Sequence, residues 1–122
     1  MMFVPIALAT LALAQQPSAA QKPEVTVLKA GLGPCAADFT VKDAGGKPVY
    51  GATIHVRVRY GLMSLKRSDL EVGTNAEGQA RIEGLPTKAK PLAYEITKDM
   101  KKSTVEQDVD LTCQKKFDVT LK

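Results

Sequence analysis

Between residues 52 and 60 the chain alternates without a break: Ile54, Val56, Val58 and Tyr60 share one parity, while Thr53, His55, Arg57 and Arg59 share the other. Successive side chains on a strand point to opposite faces, so this pattern predicts a long strand with one face in a core and the other in water. Shorter runs of the same period lie on both sides. Val25 and Val27 mark a half-buried strand over 24–29, Phe39 and Val41 one over 37–42, Leu70 and Val72 one over 69–74, and Ala80 and Ile82 one over 79–83. Further on, Leu92, Tyr94 and Ile96 alternate inward, Val105, Val109 and Leu111 define a strand interrupted at Gln107, and Phe117, Val119 and Leu121 form the last strand.

Turn chemistry separates these runs. Gly31-Leu32-Gly33-Pro34 breaks the first, and Asp43-Ala44-Gly45-Gly46-Lys47-Pro48 supplies positive-φ positions and a fixed exit. Asn75-Ala76-Glu77-Gly78 fits a type I turn with glycine in the left-handed position, which predicts a hairpin between the strands on either side. About seven or eight short strands with turn signals between them, and no helical period of any length, predict an all-β Greek-key or immunoglobulin-like β-sandwich. The most irregular connection is 61–68, where the spacing of Leu62, Met63 and Leu65 allows a helical turn or a hydrophobic loop covering an open sheet edge. With Lys66 these residues form the candidate interaction loop.

The order of four segments carries a resemblance: Phe39-Thr40-Val41-Lys42-Asp43, then Gly46-Lys47-Pro48-Val49-Tyr50-Gly51-Ala52, then Thr74-Asn75-Ala76-Glu77-Gly78, then Ile82-Glu83-Gly84-Leu85-Pro86. This order resembles the carboxypeptidase regulatory-like domain, a transthyretin-like or prealbumin-like sandwich, and Tyr94 stands where that family has a tyrosine-containing strand. The resemblance covers residues 39–96 and implies a fold more than a function, because the same pattern occurs in enzyme accessory modules, adhesins, transporters and free-standing exported proteins. The transthyretin-like hydrolase of purine degradation builds its site from several histidines, an arginine and a Y-R-G-S terminus. This chain has one histidine, His55, and ends Val119-Thr120-Leu121-Lys122.

At 122 residues there is room for one domain. Residues 1–21 contain no charged side chain, and the apolar run 3–14 has the length of a signal-peptide h-region. Cleavage after Ala14 or Ala20 follows from the small residues there, giving a signal peptide over 1–20 and a sandwich domain over 21–122. The apolar run is shorter than the ~20 residues a membrane span needs, so no stable transmembrane anchor is expected after cleavage. The two cysteines, Cys35 and Cys113, lack C-x-x-C spacing and a histidine cluster, and predict one structural disulfide in an oxidising compartment. That bond makes the strands at Phe39 and Phe117 either neighbours or facing members of two sheets. The predicted location is secreted or periplasmic.

The net charge of +4 is scattered, with small lysine clusters at 88–90, 98–102 and 115–116 and no polybasic tail. Without aromatic stacking residues or a basic tract, nucleic acid is not an expected partner. His55, Arg57 and Arg59 form a cationic row on one strand face, a candidate anion contact. One histidine and dispersed carboxylates give no metal-ligand spacing and no catalytic base with an orienting partner, so no metal, cofactor or catalytic residue is assigned. There is no tryptophan for a sugar platform, Tyr50 being the one tyrosine outside core parity, and the single asparagine, Asn75, lies in a turn unsuited to an isopeptide bond. Two readings remain: a non-catalytic exported module contacting another exported or envelope protein, or a small-ligand or metal-ion carrier with Met63, His55 or the arginines as contacts.

Overall fold

The computed structural model describes residues 25–122, so the segment 1–20 expected to be a signal peptide lies outside the described residues. Eight strands follow in chain order: β1 (Thr26–Lys29), β2 (Cys35–Asp43), β3 (Thr53–Tyr60), β4 (Lys66–Gly73), β5 (Gln79–Leu85), β6 (Leu92–Lys98), β7 (Lys101–Gln107) and β8 (Gln114–Leu121). They form two four-stranded sheets, one in the order β1-β5-β2-β8 and one in the order β4-β3-β6-β7. The protein is an all-β sandwich, as the period-two pattern predicts.

The core lies between the sheets and is made by one parity of each strand. β3 contributes Ile54, Val56 and Val58, β6 contributes Leu92, Tyr94 and Ile96, and β2 contributes Phe39 and Val41, all buried. Phe39 packs edge-on to Tyr94 at 4.8 Å between ring centroids and stacks on Phe117 at 5.2 Å. The edge-to-face and offset arrangements place ring edges against ring faces, which favours aromatic pairs beyond their buried area.

Cys35 and Cys113 are bonded, with Cα atoms 4.6 Å apart. The strands they lead into, β2 and β8, are parallel neighbours in one sheet, with Phe39 opposite Phe117. Of the two arrangements open from sequence, the neighbour arrangement holds.

Four local expectations are corrected. Asn75–Gly78 is not a hairpin turn, because β4 and β5 belong to different sheets and the turn carries the chain across the sandwich. The asparagine and glycine chemistry is nevertheless used: Asn75 Oδ1 accepts the backbone N–H groups of Glu77 and Gln79, and Gly78 sits at φ +74°. The second correction concerns β1, where Val25 and Val27 are exposed and Leu28 turns to the core. β1 runs parallel to β5 with Leu28 opposite the buried Ile82 and Val27 opposite Arg81, so Leu28 shares the core face and Val27 the outer one. Third, β7 ends at Gln107. Val109 is buried from the loop that follows, and Leu111 is 84% exposed. Fourth, the irregular connection is shorter than 61–68, since β4 begins at Lys66.

Gln107 does not interrupt a strand; it terminates one in the core, 1% exposed. Its Oε1 accepts the Tyr94 hydroxyl at 2.6 Å, and its Nε2 donates to the Thr112 carbonyl at 2.8 Å and approaches those of Ala36 and Cys113 at 3.3 and 3.4 Å. A buried amide is tolerated because its polar atoms are satisfied. Here the satisfaction ties β7 to the segments around the disulfide in the other sheet.

Thr74 has a similar role at the opposite end. Its hydroxyl accepts the Ala52 N–H at 2.9 Å and donates to the Val49 carbonyl at 2.6 Å, fixing the entry to β3. The small residues at Gly51 and Ala52 fit this junction, for Ala52 is fully buried and Gly51 has φ +73°.

Candidate interaction surface

β3 and β4 are antiparallel, with Tyr60 opposite Lys66, and the chain turns between them through a single 3-10 turn over Leu62–Ser64. Gly61 enters at φ +81°, and Met63 and Ser64 both lie in the left-handed region at φ 55° and 56°. For a side chain with a Cβ that region costs about 1–2 kcal/mol per residue, so this backbone is held against its local preference. The result is a protruding tip. Leu62, Met63 and Leu65 are 82%, 82% and 78% exposed, and none of them covers the sheet edge. The connection is a tight turn with a 3-10-type hydrogen bond but left-handed residues at Met63 and Ser64, neither a regular helical turn nor a cover for the sheet edge.

The cationic row is divided by its partners. His55, Arg57 and Arg59 all lie on the outer face of the sheet, but Arg57 Nε donates to Asp69 Oδ1 at 2.9 Å, and His55 Nε2 is 3.8 Å from the same oxygen. The hydrogen bond from Arg57, with the nearby charges of Arg57, Arg67 and His55, holds the Asp69 carboxyl below the usual carboxylate range. Arg59 stands directly across from Arg67, and among the described residues neither arginine forms an ion pair. These two arginines, with Ser64 and Leu65, line an open groove of about 320 Å³ at the base of the tip.

A second groove of about 260 Å³ runs beside it, lined by Arg57, Arg59, Lys90, Pro91 and Ala93. Ala89 bridges to Tyr60, which brings the basic loop 87–91 alongside the tip. Lys66, from the candidate loop, is exposed next to it. The sequence reading missed Arg67 and Lys90 as members of this surface. A tight antiparallel connection at 61–65 places residue 67 opposite residue 59, so Arg67 was accessible to pattern reasoning; the placement of Lys90 depends on the crossover and was not.

Other sequence candidates lie elsewhere. Tyr50 is exposed on a groove at the opposite end with Asp43, Pro48 and Lys98. On the outer face of the other sheet Arg81 joins Asp38 at 2.7 Å and Glu83 at 2.9 Å, a closed ion-pair set that raises the guanidinium pKa. Among the described residues no group of three or more His, Cys, Asp or Glu side chains could hold a metal ion.

The class defined by this architecture is a two-sheet β-sandwich with a disulfide near one end. No family model matches the chain, and no curated protein matches it. Among solved structures, it is similar to catechol 1,2-dioxygenase from Pseudomonas arvilla C-1, with a TM-score of 0.55 and 14% identity over 80% of this chain. It is also similar to chlorocatechol 1,2-dioxygenase from Pseudomonas putida (TM-score 0.52, 13% identity, 88% of this chain) and to 3-chlorocatechol 1,2-dioxygenase from Rhodococcus opacus 1CP (0.53, 12%, 92%). The chain spans 58% of the length of the first and 70% of each of the other two. At such identity the likeness is one of fold.

Proposed function

We propose that this chain is an exported, non-catalytic β-sandwich module of the carboxypeptidase regulatory-like kind, which docks on a protein or envelope surface through the tip at Leu62, Met63 and Leu65. The observation that carries the reading is the outward placement of three large apolar side chains on a turn whose Met63 and Ser64 are held in left-handed conformation. Burying a side chain of this size in a contact is worth about 1.5–3 kcal/mol, so the three together offset much of the cost of association, and the remaining affinity comes from contacts around them. The disulfide is consistent with an oxidising, extracytoplasmic compartment and so supports export.

The non-catalytic part rests on the residues available. His55 is the single histidine in the chain and lies on an open strand face beside Asp69 and Arg57, with no nucleophile among its partners. The space between the sheets is filled by Phe39, Tyr94, Ile54 and Ile82, which favours a contact module over a carrier with an internal ligand. The test is sedimentation of the mature, oxidised protein with the envelope fraction of its host, alongside a Leu62→Asp/Met63→Asp variant. Retention of the wild type with loss of the variant is expected. Equal retention of both, or of neither, overturns the reading.

A further inference from the structure

The tip is apolar at its apex and cationic around its base. Arg59 and Arg67 face each other across β3 and β4, a like-charge pairing that is unfavourable unless something negative lies between or above them. Lys66 follows the apex directly, and the loop bridged to Tyr60 brings Lys90 to the same end. Asp69 on β4 is hydrogen-bonded by Arg57 at 2.9 Å and also lies within electrostatic reach of Arg67, while Arg59 has no acid of its own in an ion pair among the described residues. Asp108 and Asp110 follow β7, which is the far edge strand of this sheet.

Resting on the docking reading above, we propose that the partner surface is an anionic lipid bilayer. Leu62, Met63 and Leu65 enter the boundary between headgroups and acyl chains, while Arg59, Lys66, Arg67 and Lys90 lie among the lipid phosphates. The shape favours lipid over an acidic protein. Protein interfaces concentrate binding in aromatic and arginine anchors seated in pockets and are depleted of lysine, whereas this apex is convex, aliphatic and ringed partly by lysine. A fluid bilayer accepts protruding flexible side chains without a preformed pocket, and an anionic surface attracts each nearby Lys or Arg.

The experiment is co-sedimentation of the mature, oxidised protein with phosphatidylcholine vesicles and with equimolar phosphatidylcholine–phosphatidylglycerol vesicles, at low and high salt. Partition onto the anionic vesicles is expected, weakened by salt and absent on phosphatidylcholine alone. Replacing one collar cation, as in Arg67→Gln, should weaken partition about fivefold. The Leu62→Asp/Met63→Asp variant should weaken it by at least about tenfold. Met100→Asp, in the β6–β7 turn at the opposite end, should leave it unchanged. Circular dichroism and melting of each variant confirm the fold, which these exposed positions do not support. Wild-type protein that ignores anionic vesicles overturns the proposal, as does binding that survives the tip substitution. If the envelope fraction retains the protein through the tip while pure lipid does not, the bilayer inference fails and the docking reading stands; if neither retains it, both fail.

Discussion

Gln107 joins the two sheets through polar contacts removed from water, and its replacement tests the packing quantitatively. Gln107→Leu approximately conserves volume but leaves the Tyr94 hydroxyl and the Thr112 carbonyl without their present partner. A buried polar group left unsatisfied costs about 1–3 kcal/mol; the Tyr94 hydroxyl is buried while Thr112 is exposed, so the variant should lose about 1–3 kcal/mol. Tyr94→Phe strands only the Gln107 Oε1 and should lose about 1–3 kcal/mol. The double variant removes both ends of the 2.6 Å bond. Its loss should therefore fall short of the sum of the single losses by a coupling of about 1–2 kcal/mol. Urea denaturation followed by circular dichroism measures all three, with slopes unchanged from wild type. In a domain of this size 1 kcal/mol moves the melting temperature by about 4–8 °C. Single losses that add to within about 0.5 kcal/mol of the double loss would refute the buried Tyr94–Gln107 bond.

Three further outcomes follow from the same contacts. The disulfide closes a sequence separation of 78 residues. On the chain-entropy model this stabilises by about 4–5 kcal/mol, so a Cys35→Ala/Cys113→Ala variant should unfold at much lower denaturant, and a loss under about 1 kcal/mol would contradict the structure. Gly78→Ala would drive a Cβ into the Val41 carbonyl oxygen at φ +74°, so melting should show a loss above about 2 kcal/mol, and an unchanged melting temperature would exclude this turn. Burial raises the Tyr94 phenol above its ordinary value of 10.0. Its contribution to stability is thus complete below that value and lost as pH rises from there toward the raised one, because the unfolded chain gives up this proton first. Tyrosinate absorbance followed with unfolding at alkaline pH should show Tyr94 ionising only as the fold is lost, and Tyr94→Phe should remove that part of the alkaline sensitivity.

The strands with buried partners on both sides were legible in sequence: Ile54, Val56 and Val58 on β3, and Leu92, Tyr94 and Ile96 on β6, show their burial in their period. Alternation reports which face is buried and not which strand lies alongside. That is why Asn75–Gly78 looked like a hairpin turn, since its hydrogen bonds are local and serve equally where the chain changes sheets. At β1 the sequence is apolar on both parities, and only its register on β5, with Leu28 opposite Ile82 and Val27 opposite Arg81, puts Leu28 against the core and leaves Val27 in water. Gln107 read as a break because polar residues usually avoid the core; among its partners is the Ala36 carbonyl, 71 residues away in sequence. At the tip, the residue types of Leu62, Met63 and Leu65 marked the surface, but their outward direction depends on the φ angles of Met63 and Ser64, which no composition signals. The row of His55, Arg57 and Arg59 was legible as a face, and its division by Asp69 and Arg67 required the register of β4.

The most direct measurement of the docking surface uses the two exposed methionines among the described residues. Met63 is at the apex, 82% exposed, and Met100 is in the β6–β7 turn at the opposite end, 99% exposed. Oxidation to the sulfoxide by dilute peroxide, followed by mass spectrometry with and without the native envelope fraction, compares the two within one molecule. Docking through the tip predicts that Met63 becomes protected while Met100 oxidises at its free rate. Equal oxidation of both, or protection of Met100 alone, would contradict it.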